Sequence, residues 1–331
     1  MKGIAMAVSG LALLGSAQAQ AQAQANADAA YPNRPVTIVV PHPPGGSVDS
    51  LARMFAVKLG EELKQSVIID NRAGASGMVG AGVVARSTPD GYTLYLNASI
   101  HNINPLLYKK KMAFDAVKDF TPISGLAQGA LIFSVNNNVP ARTVQEFVKV
   151  LKADPGKYSF ATTGFGSAGH LAIAQFAYEA GLSSLDIPIV LYRGGGPALT
   201  DLIGGQVHGL IDPMLSSLPM VKTDKIRALA VTGAKRSPLL PDVPTMQEAG
   251  LKNFEFYSWY GLWAPAKLPD AIQKKLDAAT QKVMTSASMK EQLSGLGFES
   301  AYRNGADFAQ YIQAETARYS TIIEQAHITA E

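Results

Sequence analysis

Short β-branched and aromatic runs alternate along the chain with stretches whose apolar residues recur every three or four positions. VTIVV (36–40), SVIID (66–70), YTLYLN (92–97), LIFSVN (131–136), YSFAT (158–162), IPIVLY (187–192), VHGLID (207–212) and IRALAVTG (226–233) read as strands. Between them, Asp49 or Ser50 can cap a helix through Leu51, Phe55 and Leu59. Thr143 and Glu146 form a capping box ahead of Phe147, Val148 and Leu151. Strands alternating with helices predict an α/β architecture, and near-continuous apolar strands such as VTIVV predict mainly parallel sheets covered on both faces. After Pro265 and Pro269 the pattern turns almost entirely helical, and Phe308, Ile312, Tyr319 and Ile323 share one helical face. A sheet-rich middle with a helical tail predicts that the tail packs back on the first domain. The chain is then expected to cross between two domains near residues 124–132 and 252–262.

Composition narrows the function. With 331 residues the chain is long enough for two cores, and 17% charged residues with a net charge of +3 give no ground for a nucleic-acid partner. Absence of cysteine excludes thiolate catalysis, disulfides and Cys-ligated zinc. The start differs in kind. Lys2, an apolar run from Ile4 to Leu14 and the small residues through Ala19 have the form of a cleaved export leader, with further Ala-x-Ala sites up to Ala25. The expected product is an exported protein acting in the periplasm.

The candidate chemistry lies in the turns that leave the strands, where open α/β sheets bind ligands. PHPPGGSVD (41–49) places Gly45 and Gly46 before a helix start, with Asp49 expected to fix the loop. Ser99 and His101 follow YTLYLN; a lone histidine there reads as a packing residue. TTGFGSAGHL offers Thr163, Gly166, Ser167 and His170 as an anion nest. Its G-x-G-x-x-G form, with Arg193 one strand later, also admits an NADP-dependent oxidoreductase. YRGGGPALTDLIGG supplies Arg193 as a carboxylate-binding cation, and VHGLIDP brings Asp212 to a strand end to accept from a ligand donor or hold that arginine. Tyr192, Phe165 and Trp259 are candidates for an aromatic wall or for core positions. No clustered metal-ligand spacing or paired carboxylates argue for catalysis. Amides, glycines and hydroxyls supply recognition instead.

Taken in order, YPNRPVTIVVPHPPGGSVD, IIDNRAGASGMVGAGVVA, STPDGYTLYL, TTGFGSAGHL, YRGGGPALTDLIGGQV, RALAVTGAKRSPLLPDVPTMQEAG and WYGLWAP resemble the solute receptors of the tripartite tricarboxylate transporter family. The resemblance implies a two-lobed periplasmic binding protein (flytrap, type II) with two hinge crossings. Its lobes would take residues 31–127 with 255–331, and 128–254, after a signal peptide and an Ala/Gln-rich mature N-terminus over 1–30. It further implies a monomer without cofactor or enzymatic activity, which captures a small organic carboxylate and delivers it to integral membrane transporter subunits. The carboxylate would be held by the turns at Pro44–Asp49, partly through water, and Thr163–His170, with Ser99, Arg193 and Asp212 completing the site. His42 departs from the aromatic or small residue common in the family. A sensor of the same fold is the runner-up reading.

Overall fold

The computed structural model describes residues 31–108, 110–182, 187–192 and 194–329. The expected leader and Arg193 lie outside the described residues. The first segment runs β1 (Val36–Val40), α1 (Ser47–Leu63), β2 (Val67–Asn71), α2 (Met78–Ala85), β3 (Thr93–Ala98), α3 (Ile100–Tyr108) and β4 (Phe120–Val135). The middle holds α4 (Val144–Ala153), β5 (Phe160–Thr162), α5 (Ala168–Glu179), β6 (Ile189–Leu191), α6 (Gly195–Ile203), β7 (Gly209–Pro213), α7 (Met214–Lys222) and β8 (Arg227–Val231). The chain ends with β9 (Tyr257–Pro265), α8 (Asp270–Thr285), α9 (Ala287–Gly295), β10 (Glu299–Arg303) and α10 (Gly305–Gln325).

These strands make two sheets that share β4. The first has the order β2-β1-β3-β9-β4, with β10 on the far side of β4; the second has the order β6-β5-β7-β4-β8. Each lobe therefore repeats one plan: second, first and third strands, then a strand arriving from elsewhere in the chain, then the fourth. Parallel pairing holds for β1 with β2 and β3, and for β5 with β6 and β7. Contrary to the expectation of mainly parallel sheets, every pairing made by β4 or β9 is antiparallel. The returning strand enters each sheet from the opposite end, so it runs against its neighbours.

β4 carries the chain from one lobe to the other: it pairs with β9 up to Ala130 and with β7 and β8 from Leu131 onward. The return passage precedes β9, and one side chain ties the two passages together. Thr232, fully buried, accepts from the Leu131 N–H at 2.8 Å and donates to the Phe256 carbonyl at 2.6 Å through a single hydroxyl. Its backbone adds bonds to the same two residues.

The tail does more than cover the first lobe. α10 packs on β4 and β10, but also on α3 and on α5 of the second lobe. That explains why α5 is apolar nearly all round, with Leu171, Ile173, Ala174, Phe176 and Ala177 all buried. It is sandwiched rather than half-solvated. Thr143 caps α4 as expected, accepting from the Glu146 N–H at 3.1 Å. α1, by contrast, starts at Ser47 with Gly46 as its cap residue, three or four residues before the predicted caps Asp49 and Ser50.

Candidate functional site

In the order second-first-third, chain direction across the sheet reverses between the first and third strands. A crevice opens there at their carboxyl ends. Both lobes have this switch point, at β1/β3 and at β5/β7. The turns singled out after β1, β3, β5 and β7 leave these strands, while the remaining one follows β6 at the sheet edge.

The loop 41–46 is held from within. Asp49, one turn into α1, accepts at Oδ2 from the Gly45 N–H and Arg53 Nε, both at 2.9 Å, and at Oδ1 from Asn71 Nδ2 at 2.9 Å. Burial would raise this carboxyl, but the bonds from Arg53, Gly45 and Asn71 outweigh it and hold it below the usual range. Asp49 thus shapes the loop and has no free face for a ligand, and the Gly45 N–H is spent on it. Gly45 itself sits at φ +87°, a left-handed conformation that glycine adopts without strain. What remains open is the start of α1. Gly46 provides no side-chain cap, so the first N–H groups of the helix have no partner within it. His42, half-buried, donates from Nε2 to Asn97 Oδ1 at 2.9 Å, and its carbonyl accepts from Asn71. Burial lowers its pKa, so it serves as a neutral part of the loop's frame.

At the end of β3 the Ser99 N–H is bound to the Trp259 carbonyl at 3.0 Å and is unavailable to a ligand. Its hydroxyl is fully buried and without a partner. His101 is a packing residue. It is buried among Tyr95, Phe120 and Trp263, bonded to the Ala116 carbonyl, and lowered to about 4 by burial.

In the second lobe, the turn 163–170 is likewise bonded internally. Ser167 caps α5, accepting from the His170 N–H at 3.2 Å, and its hydroxyl also meets Thr162 Oγ1 at 3.1 Å. The Gly166 N–H donates to His170 Nδ1 at 3.2 Å. With Nδ1 accepting and burial lowering the imidazole to about 4, His170 is neutral with its proton on Nε2. Gly166, Ser167 and His170 therefore build the turn, while Thr163 and Gly164 stand half-buried at its opening. The dinucleotide pattern has a different explanation here. Gly169 lies against the backbone of β7, and Gly166 lies against Leu107 and Ile103 of α3.

The same turn touches the first lobe. Ser76 Oγ donates to the Phe165 carbonyl at 3.3 Å, and the Phe165 ring meets Tyr108 edge-on with centroids 6.0 Å apart. Gly74, Ala75, Ser76 and Gly77 all have positive φ, so the segment bulges outward to make this contact. Ser76→Ala is expected to speed ligand release roughly two- to tenfold, the equivalent of one neutral hydrogen bond. The thermal midpoint should stay nearly unchanged. Stopped-flow dissociation checks this; an unaltered rate would mean the contact does not hold the closed form.

Asp212, at the end of β7, is 1% exposed, and its Oδ2 has no partner. Burial raises the carboxyl to about 7, moderated by the Ser216 hydroxyl. A folded-state pKa above the unfolded value of 3.8 means that the native chain holds the proton more tightly. Stability is therefore expected to fall as pH rises from about 4 to about 7, by on the order of 4 kcal/mol, and to level off above. Asp212→Asn should remove that slope; parallel slopes in denaturant titrations of both proteins from pH 4 to 8 would contradict it.

Of the aromatic candidates, Phe165 lies at the lobe contact, while Tyr192 donates to Asp201 Oδ2 at 2.5 Å. Trp259 is core: its Nε1 donates to Tyr319 Oη at 2.9 Å. Its neighbour Tyr260 was not singled out in the sequence. Its phenol is fully buried and unpartnered, raised to about 12 by burial, with Ser258 and Ser47 beside it and the Asp212 charge nearby. Successive strand residues face opposite ways, and β9 is buried on both faces, so periodicity could not tell the two apart.

Two sheets on one plan, joined by two adjacent passages around a cleft of helix starts and hydroxyls, define a two-lobed, hinged solute-binding protein. The chain belongs to the tripartite tricarboxylate transporter receptor family, whose sequence profile, described as "Tripartite tricarboxylate transporter family receptor", matches residues 51–328. A protein of the tcbD-tcbE intergenic region of Pseudomonas sp. strain P51 is 35% identical over 91% of this chain and 89% of its own length. Among solved structures, Rpa4515 of R. palustris with adipate superposes with a TM-score of 0.86 at 36% identity, covering 90% of this chain and 99% of that one. MatC (Rpa3494) of Rhodopseudomonas palustris with bound malate gives 0.81 at 31% identity, covering 88% and 100%.

Proposed function

We propose that this protein is a periplasmic receptor that captures a small organic carboxylate and delivers it to the integral membrane subunits of a tripartite tricarboxylate-type transporter. The observation that carries this reading is the contact between strand-end turns of the two lobes, Ser76 Oγ on the Phe165 carbonyl, together with uncapped helix starts after β1 and β6. α1 and α6 both begin at glycines without a side-chain cap, which leaves N–H donors for an anion. In this reading the ligand carboxylate meets the N–H groups after Gly46, the Ser99 hydroxyl and the Thr163–Gly164 opening, with Arg193 as counter-charge. Gly45, Asp49, Gly166, Ser167 and His170 hold those donors in place. Residues 31–127 with 255–331 move against 128–254 about the passages at β4 and before β9. The segment 1–30 directs export, and the receptor acts as a monomer without turnover.

Adipate and malate bound in the two relatives support a carboxylate as the ligand class. A thermal-shift panel of mono-, di- and tricarboxylates on protein stripped of co-purified ligand tests this reading. One chemical class should raise the midpoint by several degrees; no shift with any carboxylate would defeat it. Carboxylate uptake in a strain lacking the gene separates transport from sensing, because a sensor's loss would abolish induction and spare uptake from a constitutively expressed transporter.

A further inference from the structure

Two fully buried polar atoms have no hydrogen-bond partner among the described residues and come from opposite lobes: Asp212 Oδ2 on β7 and Tyr260 Oη on β9. The Asp212 charge adds to burial in raising the Tyr260 phenol. Around them stand donors: Ser47 at the first position of α1 and Ser258 beside Tyr260, and Ser216 beside Asp212. Gly195, first residue of α6, lies so near that a Cβ on it would stand 3.4 Å from Asp212 Oδ2. The starts of α1 and α6 therefore converge on this pair.

In such a ring of donors an anionic carboxylate is well served, and Asp212 Oδ2 is the odd group out: an acceptor sealed from water. A buried acceptor left unmade costs more than a made bond gains. The ligand can supply its missing donor, and Oδ2 adjoins the start of α6, one of the two uncapped helix starts open to a carboxylate. Donor and carboxylate therefore sit within a bond or two of each other on the ligand.

We infer that Asp212 is a specificity-determining residue, and that the cleft selects acids bearing a hydroxyl or ammonium on the carbon next to the carboxylate. This rests on the receptor reading above and narrows it. An unsubstituted acid leaves Oδ2 unpaired, and sites that hydrogen-bond a substituent reject analogues lacking it far more strongly than apolar pockets reject a methylene. Tyr260 lies on the opposite lobe, so a ligand that reaches both atoms also draws the lobes together.

The test is calorimetry at pH 8 on the stripped protein, with ligands matched in chain length. Succinate is compared with malate and aspartate, and glutarate with 2-hydroxyglutarate and glutamate. Wild type is expected to bind a substituted member at least tenfold more tightly than its parent, about 1.4 kcal/mol. Asp212→Asn is expected to narrow that ratio to about threefold or less, with the ammonium ligands losing most because the carboxylate charge is gone. Equal affinities within each set for wild type overturn the inference without any variant. A ratio that survives in Asp212→Asn assigns the selectivity elsewhere and overturns it too. If none of the six binds while another carboxylate does, the inference falls and the receptor reading stands; if no carboxylate binds, both fall.

Discussion

Gly169→Ala is expected to lower the thermal midpoint by roughly 6 °C or more and to abolish measurable carboxylate binding. A Cβ at this position would lie 2.2 Å from the Ile211 carbonyl oxygen, far inside contact distance. That oxygen is backbone, and β7 is held on both sides by β4 and β5, so it has no room to retreat. The helix must move instead. Overpacking a core typically costs about 1–3 kcal/mol, and a fixed backbone obstacle puts this case at the upper end. Binding suffers because α5 begins at Ala168, carrying the Ser167–His170 turn with it, while Asp212 follows Ile211 directly. Calorimetric melting and ligand titration measure the two effects. Gly295→Ala, where a Cβ meets open space, is the control and should be neutral or slightly stabilising. A Gly169→Ala protein that melts with wild type would show that α5 and β7 are not so closely packed.

The second large effect is expected at the hinge. Thr232→Val keeps the shape of the side chain but leaves the Leu131 N–H and Phe256 carbonyl, bonded at 2.8 and 2.6 Å, without their partner. Each buried unsatisfied group costs about 1–3 kcal/mol, so a loss of roughly 2–5 kcal/mol is expected. Thr232→Ser, which retains the hydroxyl, should recover most of it. Because the two residues belong to the two passages between lobes, the variant should also loosen hinge closure and weaken ligand binding beyond the serine form. Denaturant unfolding together with titration decides it. Valine and serine variants of equal stability would show that the hydroxyl bridges nothing of consequence.

The alternation of strands and helices, and with it the α/β class, was legible because parallel strands between helices are apolar throughout. So were the turns with glycine pairs and helix starts after β1, β5 and β6, which advertise themselves by composition. The strands β4, β9 and β10 were harder. The first half of β4 contains Pro122, Gly125 and Gly129, which read as a loop. In the fold, bulges opposite β9 absorb the irregularity, and the glycines admit the rings of Phe308 and Phe298 arriving from the tail. Nothing local to residues 120–130 announces aromatic rings from nearly two hundred residues later.

The residues of the site divide in the same way. Residue type and neighbouring turns were enough to single out Gly45, Asp49, Thr163, Ser167, His170 and Asp212 as candidates. The role of each depended on where its hydrogen bonds go. Asp49, Gly166, Ser167 and His170 are spent on one another and on their own loops, whereas Ser99, Asp212 and Tyr260 keep buried atoms unpaired. By itself, then, the sequence determined the class of fold and the glycine-rich turns at the strand ends, because apolar periodicity and glycine placement are local properties. Only the tertiary structure decided which of those groups still have a free donor or acceptor. A side chain's hydrogen bonds are made across the fold, with partners that chain order does not reveal.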